Sequence, residues 1–94
     1  GQLENVYRLQ VMNATERSQR YHVDLEGIPG ATLVNASDVD VEPAQARWVT
    51  VAVRISPQAA QALGAGAHPI RFEVVALGDA STRVIERSTF VVPR

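Results

Sequence analysis

At 94 residues the chain is long enough for one domain and too short for two. Net charge is −1 and every cation is an arginine, so there is no basic field to hold phosphate backbones and nucleic acid is excluded as a main partner. The absence of cysteine removes disulfides, thiolate zinc sites and iron–sulfur ligation together.

Residues 4–12 and 19–26 each alternate with period two. Tyr7, Leu9 and Val11 fall on one side of the first segment, and Tyr21, Val23 and Leu25 on one side of the second. Such alternation sets one face of a strand on a core and the other in water. The connector Asn13-Ala14-Thr15-Glu16-Arg17-Ser18 is short and polar, which predicts that the two strands are antiparallel neighbours. Gly27-Ile28-Pro29-Gly30 is a punctuated loop, with proline fixing one torsion and glycine free to take positive φ. Residues 31–36 make a weaker strand, and Asn35-Ala36-Ser37-Asp38 is turn-like. Val39 and Val41 alternate with Asp38, Asp40 and Glu42, an edge strand whose acidic outer side discourages edge-to-edge association.

Residues 47–56 form the clearest strand, with Val49, Val51, Val53 and Ile55 on one face and Trp48, Thr50, Ala52 and Arg54 on the other. Ser56 then Pro57 reads as an N-cap and a first helical position, and Gly64 and Gly66 end a short helical turn near residues 57–63 that crosses between sheets. Residues 68–77 and 82–92 are the last strands, joined by a turn at residues 78–81. The apolar phase of the last strand slips between Val84/Ile85 and Phe90/Val91/Val92, which predicts a bulge or bend near residues 86–88. About seven short strands and one helical turn predict an all-β, immunoglobulin-like antiparallel sandwich occupying residues 1–94 as a single domain. Its core is aliphatic, because aromatics make up only 5% of the chain. No apolar run approaches the roughly 18 residues of a membrane-spanning helix, and the chain reads as a soluble piece of something larger.

Candidate chemistry is sparse. His22, Asp24 and Glu26 share one strand face and could offer an imidazole and carboxylates to a metal, but a solvated outer face requires the same residue types. His68 could join His22 only if their strands were adjacent and in register. Met12 is a soft copper-type ligand in principle, and a rim-packing side chain more simply. Asn13-Ala14-Thr15 and Asn35-Ala36-Ser37 fit the glycosylation acceptor pattern, while turn formation by the same side chains explains both more simply. There is no Gly-x-Ser-x-Gly elbow, Gly64-Ala65-Gly66 lacks a phosphate-loop lysine, and Asp38, Asp40 and Glu42 lack the rest of a calcium loop, so no catalytic, cofactor or metal site is expected. Trp48, with Arg47 and Arg54 on or near its face, is the best sign of a partner surface, since tryptophan and arginine are enriched at interface hot spots.

Asn5-Val6-Tyr7-Arg8-Leu9-Gln10-Val11-Met12-Asn13, then Glu16, Arg20-Tyr21 and Gly27-Ile28-Pro29-Gly30, resembles the C-terminal domain of the FixG/CcoG family. Val49-Thr50-Val51, Ile55-Ser56-Pro57 and His68-Pro69-Ile70-Arg71-Phe72 fit the later part of that pattern. The resemblance implies an immunoglobulin-like module on the periplasmic side of the bacterial inner membrane. The parent would be a membrane-anchored accessory factor of a high-affinity cytochrome c oxidase, with two four-iron clusters and a copper-reducing role. Those clusters would lie outside this cysteine-free chain. The implied role is docking of oxidase-assembly proteins, copper carriers or a second copy of the chain. The alternatives are a copper-holding domain using Met12, His22 or His68, and an unrelated bacterial surface or carbohydrate-binding sandwich.

Overall fold

Two facing antiparallel sheets make up the domain, and the chain changes sheet at every connection except the last. The computed structural model describes residues 2–35 and 38–94, with the side chains of Ala80 and Ser81 outside that description. The strands are β1 (Leu3–Met12), β2 (Gln19–Glu26), β3 (Thr32–Val34), β4 (Val39–Val41), β5 (Ala46–Ile55), β6 (Gly66–Ala76) and β7 (Asp79–Val92), with α1 (Pro57–Leu63) between β5 and β6. One sheet has the order β1-β5-β3 and the other β4-β2-β6-β7. All pairings are antiparallel. This is the immunoglobulin-like sandwich that the alternation predicts.

The expectation that β1 and β2 pair is corrected. β1 pairs along its whole length with β5, from Leu3 opposite Ile55 to Met12 opposite Ala46. β2 lies in the other sheet between β4 and β6. Placed face to face across the core, both strands bury their apolar phases against each other's sheet: Leu9, Val11, Tyr21 and Val23 are each at most 7% exposed. The connector therefore crosses between layers, and Asn13 holds the crossing. Its side chain is buried, and its Nδ2 donates to the carbonyls of Val41 at 2.9 Å and Arg17 at 2.8 Å. Its Oδ1 accepts from the Thr15 amide at 2.9 Å and the Thr15 hydroxyl at 2.6 Å, an Asx-turn that fastens the loop to the end of β4. The turn reading of Asn13-Ala14-Thr15 is thus the structural one. The second motif, Asn35-Ala36-Ser37, reaches outside the described residues.

The core is mainly aliphatic, with Phe72 and Phe90 fully buried among Val51, Val53, Ile55 and Ile70. The rings of Tyr7 and Phe72 meet edge-on at 5.1 Å. Ser56 caps α1 by accepting from the Ala59 amide at 3.1 Å, and the Gly64 amide closes the last turn on Ala60 at 3.0 Å. The helix carries the chain from β5 to β6, and Ala59, Ala60 and Leu63 pack on the core. Gly27 takes φ 126°, and a Cβ there would lie 2.8 Å from the Pro69 carbonyl oxygen, so only glycine fits this approach of the β2 end to β6.

The β6–β7 hairpin corrects two further expectations. Its connection is Leu77-Gly78, because β7 begins at Asp79. Its register runs unbroken from Gly66 opposite Val92 to Val75 opposite Arg83, with no bulge near residues 86–88. The irregularity lies at the other end, where Ala76 faces Asp79. The slip in apolar phase has another cause. Val84, Glu86 and Ser88 share the inward phase of Phe90 and Val92, yet Val84 and Glu86 are exposed and Ser88 only half-buried because the opposite sheet does not cover them.

Candidate functional site

The two sheet edges formed by β1 and β7 lie on the same side of the sandwich. At one end they are stitched together by side chains. Asn5 uses its amide to bond both backbone groups of Val91: Nδ2 donates to the carbonyl at 3.2 Å, and Oδ1 accepts from the amide at 2.9 Å. The Tyr7 hydroxyl donates to the Thr89 carbonyl at 2.7 Å. Partial burial raises the pKa of this phenol, which keeps it protonated as a donor.

Beyond Tyr7 and Thr89 the edges separate and leave an open groove of about 560 Å³. Its inner lining is the end of the core: Leu9, Val11, Tyr21 and Val74. Its rim carries Met12, Trp48 and Val84, which are 70%, 56% and 58% exposed. The Arg8 guanidinium lies 4.7 Å from the centre of the Trp48 ring, a cation–π contact that holds the indole in place at the mouth. Exposed apolar side chains grouped along an open edge, unlike singly scattered ones, mark interaction surfaces.

The structure separates the three residues that the sequence groups as a partner surface. Trp48 stands on the outer phase of β5 and at the groove. Arg47 points the other way and donates to the Asp40 backbone carbonyl at 3.2 Å. Arg54 shares the Trp48 phase but lies six residues along the strand, about 20 Å away at 3.3 Å per residue, and is paired with Glu4 at 2.8 Å. Trp48 therefore keeps different company: Arg8, Met12 and Val84. Strand pairing, invisible in a single sequence, brings Arg8 and Met12 beside it through Gln10 opposite Trp48.

Met12, His22 and His68 occupy three different surfaces. Met12 is at the groove rim. His22 is on the outer face of the β4-β2-β6-β7 sheet, held between Asp38 at 2.8 Å and Asp24 at 3.2 Å. The hydrogen bond to Asp38, helped by the Asp24 charge, raises the His22 pKa above its ordinary value. β2 and β6 are adjacent, but His22 faces Val75, and His68 sits at the far end of β6 with a ring nitrogen 2.8 Å from the Gly64 carbonyl oxygen. Among the described residues no three His, Asp or Glu side chains converge as a metal-holding group. The acidic side chains of the β4 edge are engaged locally: Asp40 with Arg20 at 2.8 Å, Glu42 with Ser18 at 2.9 Å.

The fold and its open edge define an immunoglobulin-like β-sandwich domain with an apolar groove along one side. The chain belongs to the family described as "IG-like fold at C-terminal of FixG, putative oxidoreductase", whose model matches residues 1–93. Solved structures share the architecture. A FixG-related protein from Vibrio parahaemolyticus superposes with a TM-score of 0.82 at 22% identity, over 95% of this chain and 78% of that one. An extracellular fragment of EsaA from Streptococcus gallolyticus superposes with a TM-score of 0.54 at 16% identity, over 97% of this chain and 24% of that one. At these identities the likeness concerns the fold. Among curated proteins none matches the chain.

Proposed function

We propose that this domain is a non-enzymatic docking module of a FixG-family protein. It faces the periplasm and engages protein partners while the membrane-anchored parent, with its iron–sulfur clusters, supports copper delivery and assembly of a high-affinity cytochrome c oxidase. The observation that carries the docking role is the groove, where Trp48, Met12 and Val84 stand exposed beside two strand edges. Family membership supports the parentage. The polar side chains point the same way: the ion pairs on the outer faces tie neighbouring strands together, as Arg54–Glu4 and Arg20–Asp40 do.

Deleting residues 1–94 from the parent tests this reading. Membrane insertion and cluster content of the parent stay normal while oxidase maturation falls. Full maturation without the domain would refute the docking role. Loss of insertion or clusters would make the domain a folding element of the parent instead.

A further inference from the structure

The seam between β1 and β7 determines which backbone groups of β7 are available. Val91 turns its amide and carbonyl toward Asn5, and Thr89 turns its carbonyl toward Tyr7, so both face away from β6. Along an antiparallel edge strand, outward-facing groups belong to every second residue. The register is unbroken as far as Arg83. Arg87, Ile85 and Arg83 therefore present their amides and carbonyls to the open side, and among the described residues nothing takes them up. Asn5 and Tyr7 close the seam at its other end, and this five-residue stretch is left as an unpaired strand edge beside an apolar groove.

The side chains of the stretch select the occupant. Val84 and Glu86 point into the groove. Arg83, Ile85 and Arg87 lie on the outer face, with Ile85 51% exposed. Among the described residues Arg87 makes no ion pair, and Arg83 is paired with Glu73 at 3.6 Å with its guanidinium still 54% exposed. A second copy pairing two-fold about Ile85 would set Arg83 against Arg87 twice, and like charges directly opposite each other destabilise a strand pair. Carboxylates at those two positions would instead be paired.

The geometry points to strand addition: the β7 edge from Arg83 to Arg87 binds an extended segment of a partner protein in which apolar side chains alternate with carboxylates. The apolar side chains enter the groove against Leu9, Val11 and Trp48, and the carboxylates face Arg83 and Arg87. Backbone bonds supply the affinity and the two arginines the sign of charge, the usual division of labour in strand addition. This inference rests on the docking reading above and names the partner's chemistry.

The test uses the isotopically labelled 94-residue chain and two soluble heptapeptides, one alternating valine with aspartate and one alternating valine with lysine. The aspartate peptide binds at least tenfold more tightly, and the amides of Arg83, Ile85 and Arg87 shift and gain protection from hydrogen exchange. Ile85→Pro removes an amide that has no partner inside the domain, so the edge tolerates it and the fold is retained, while peptide binding falls at least tenfold. Should Ile85→Pro unfold the domain, the Arg83→Glu/Arg87→Glu double variant decides, because it reverses the preference to the lysine peptide.

Equal binding of the two peptides, or shifts confined to other strands, overturns the inference. So does a concentration-dependent dimer with the same three amides protected, which would make the occupant a second copy. The two proposals fail separately. A parent that needs residues 1–94 for oxidase maturation but whose β7 edge ignores both peptides keeps the docking role and loses the strand-addition mode. A parent that matures oxidase without the domain loses the docking role whatever the peptides do.

Discussion

Replacing Asn13 by alanine tests the account of how the two sheets are joined. The side chain is 2% exposed and fixes the crossing from β1 to β2 onto the end of β4. Its Nδ2 donates to Val41 and Arg17, with a weaker share to Glu42 at 3.3 Å, and its Oδ1 accepts twice from Thr15. Alanine removes a buried hydrogen bond from the Val41 carbonyl and leaves a void where the amide sat, at a cost of about 2 kcal/mol. The Arg17 carbonyl and the Thr15 amide are nearer solvent and lose about 0.5 kcal/mol each. A total near 3 kcal/mol is a large part of the roughly 5–14 kcal/mol that stabilises a domain of this size. At 4–8 °C per kcal/mol, the thermal midpoint falls by about 12–24 °C, measured by circular dichroism. Asn13→Asp separates donor from acceptor roles. It keeps the acceptor for Thr15 but turns a carboxylate oxygen toward two carbonyls, so it is at least as destabilising. If both variants melt within about 5 °C of the wild type, the loop is not what ties the sheets together.

Gly27→Ala places a Cβ 2.8 Å from the Pro69 oxygen and 2.9 Å from the Ile70 Cα at φ 126°, and costs at least about 2 kcal/mol in denaturant unfolding; a loss under 1 kcal/mol refutes the close approach. Trp48→Ala removes a side chain that is 56% exposed and stacked with Arg8, so the midpoint moves by less than about 5 °C while partner binding weakens; a drop as large as that of Phe72→Ala would put the indole in the core. The pKa of His22 is raised in the folded protein by Asp38 and Asp24, so its contribution is fully present below the unfolded value near 6.5 and fades as pH rises through the folded one. Solvent screening limits that contribution to about 0.5 kcal/mol. His22→Gln therefore melts slightly below the wild type at pH 5.5 and level with it at pH 8.5, and a gap that widens at high pH contradicts the sign.

The strands were readable in the sequence because their signal is local. A period-two run such as Val49 to Ile55 states its own conformation and its buried side whichever strand it later joins. Ser56, Pro57 and Gly64 bound α1 by groups within one turn, so the helix was readable too. The docking surface was only half readable: Trp48 could be placed on an outward phase, but not beside Arg8, Met12 and Val84. Val84 in particular looked like one side of a phase slip, because a sequence does not say where the opposing sheet stops.

The amino-acid order by itself determined that there are seven strands, about where each lies, which of its sides is apolar, and the family to which the chain belongs. Tertiary structure decided the pairing. β1 joins β5 across more than thirty intervening residues and not its neighbour β2, since alternation is the same in either arrangement and only the shared core volume distinguishes them. It also decided that Asn13 is buried and that β1 and β7 are joined at Asn5–Val91 and Tyr7–Thr89 and part between Met12 and Arg83. Both are products of two layers meeting, where the free energy depends on what lies opposite a residue and not on what precedes it in the chain.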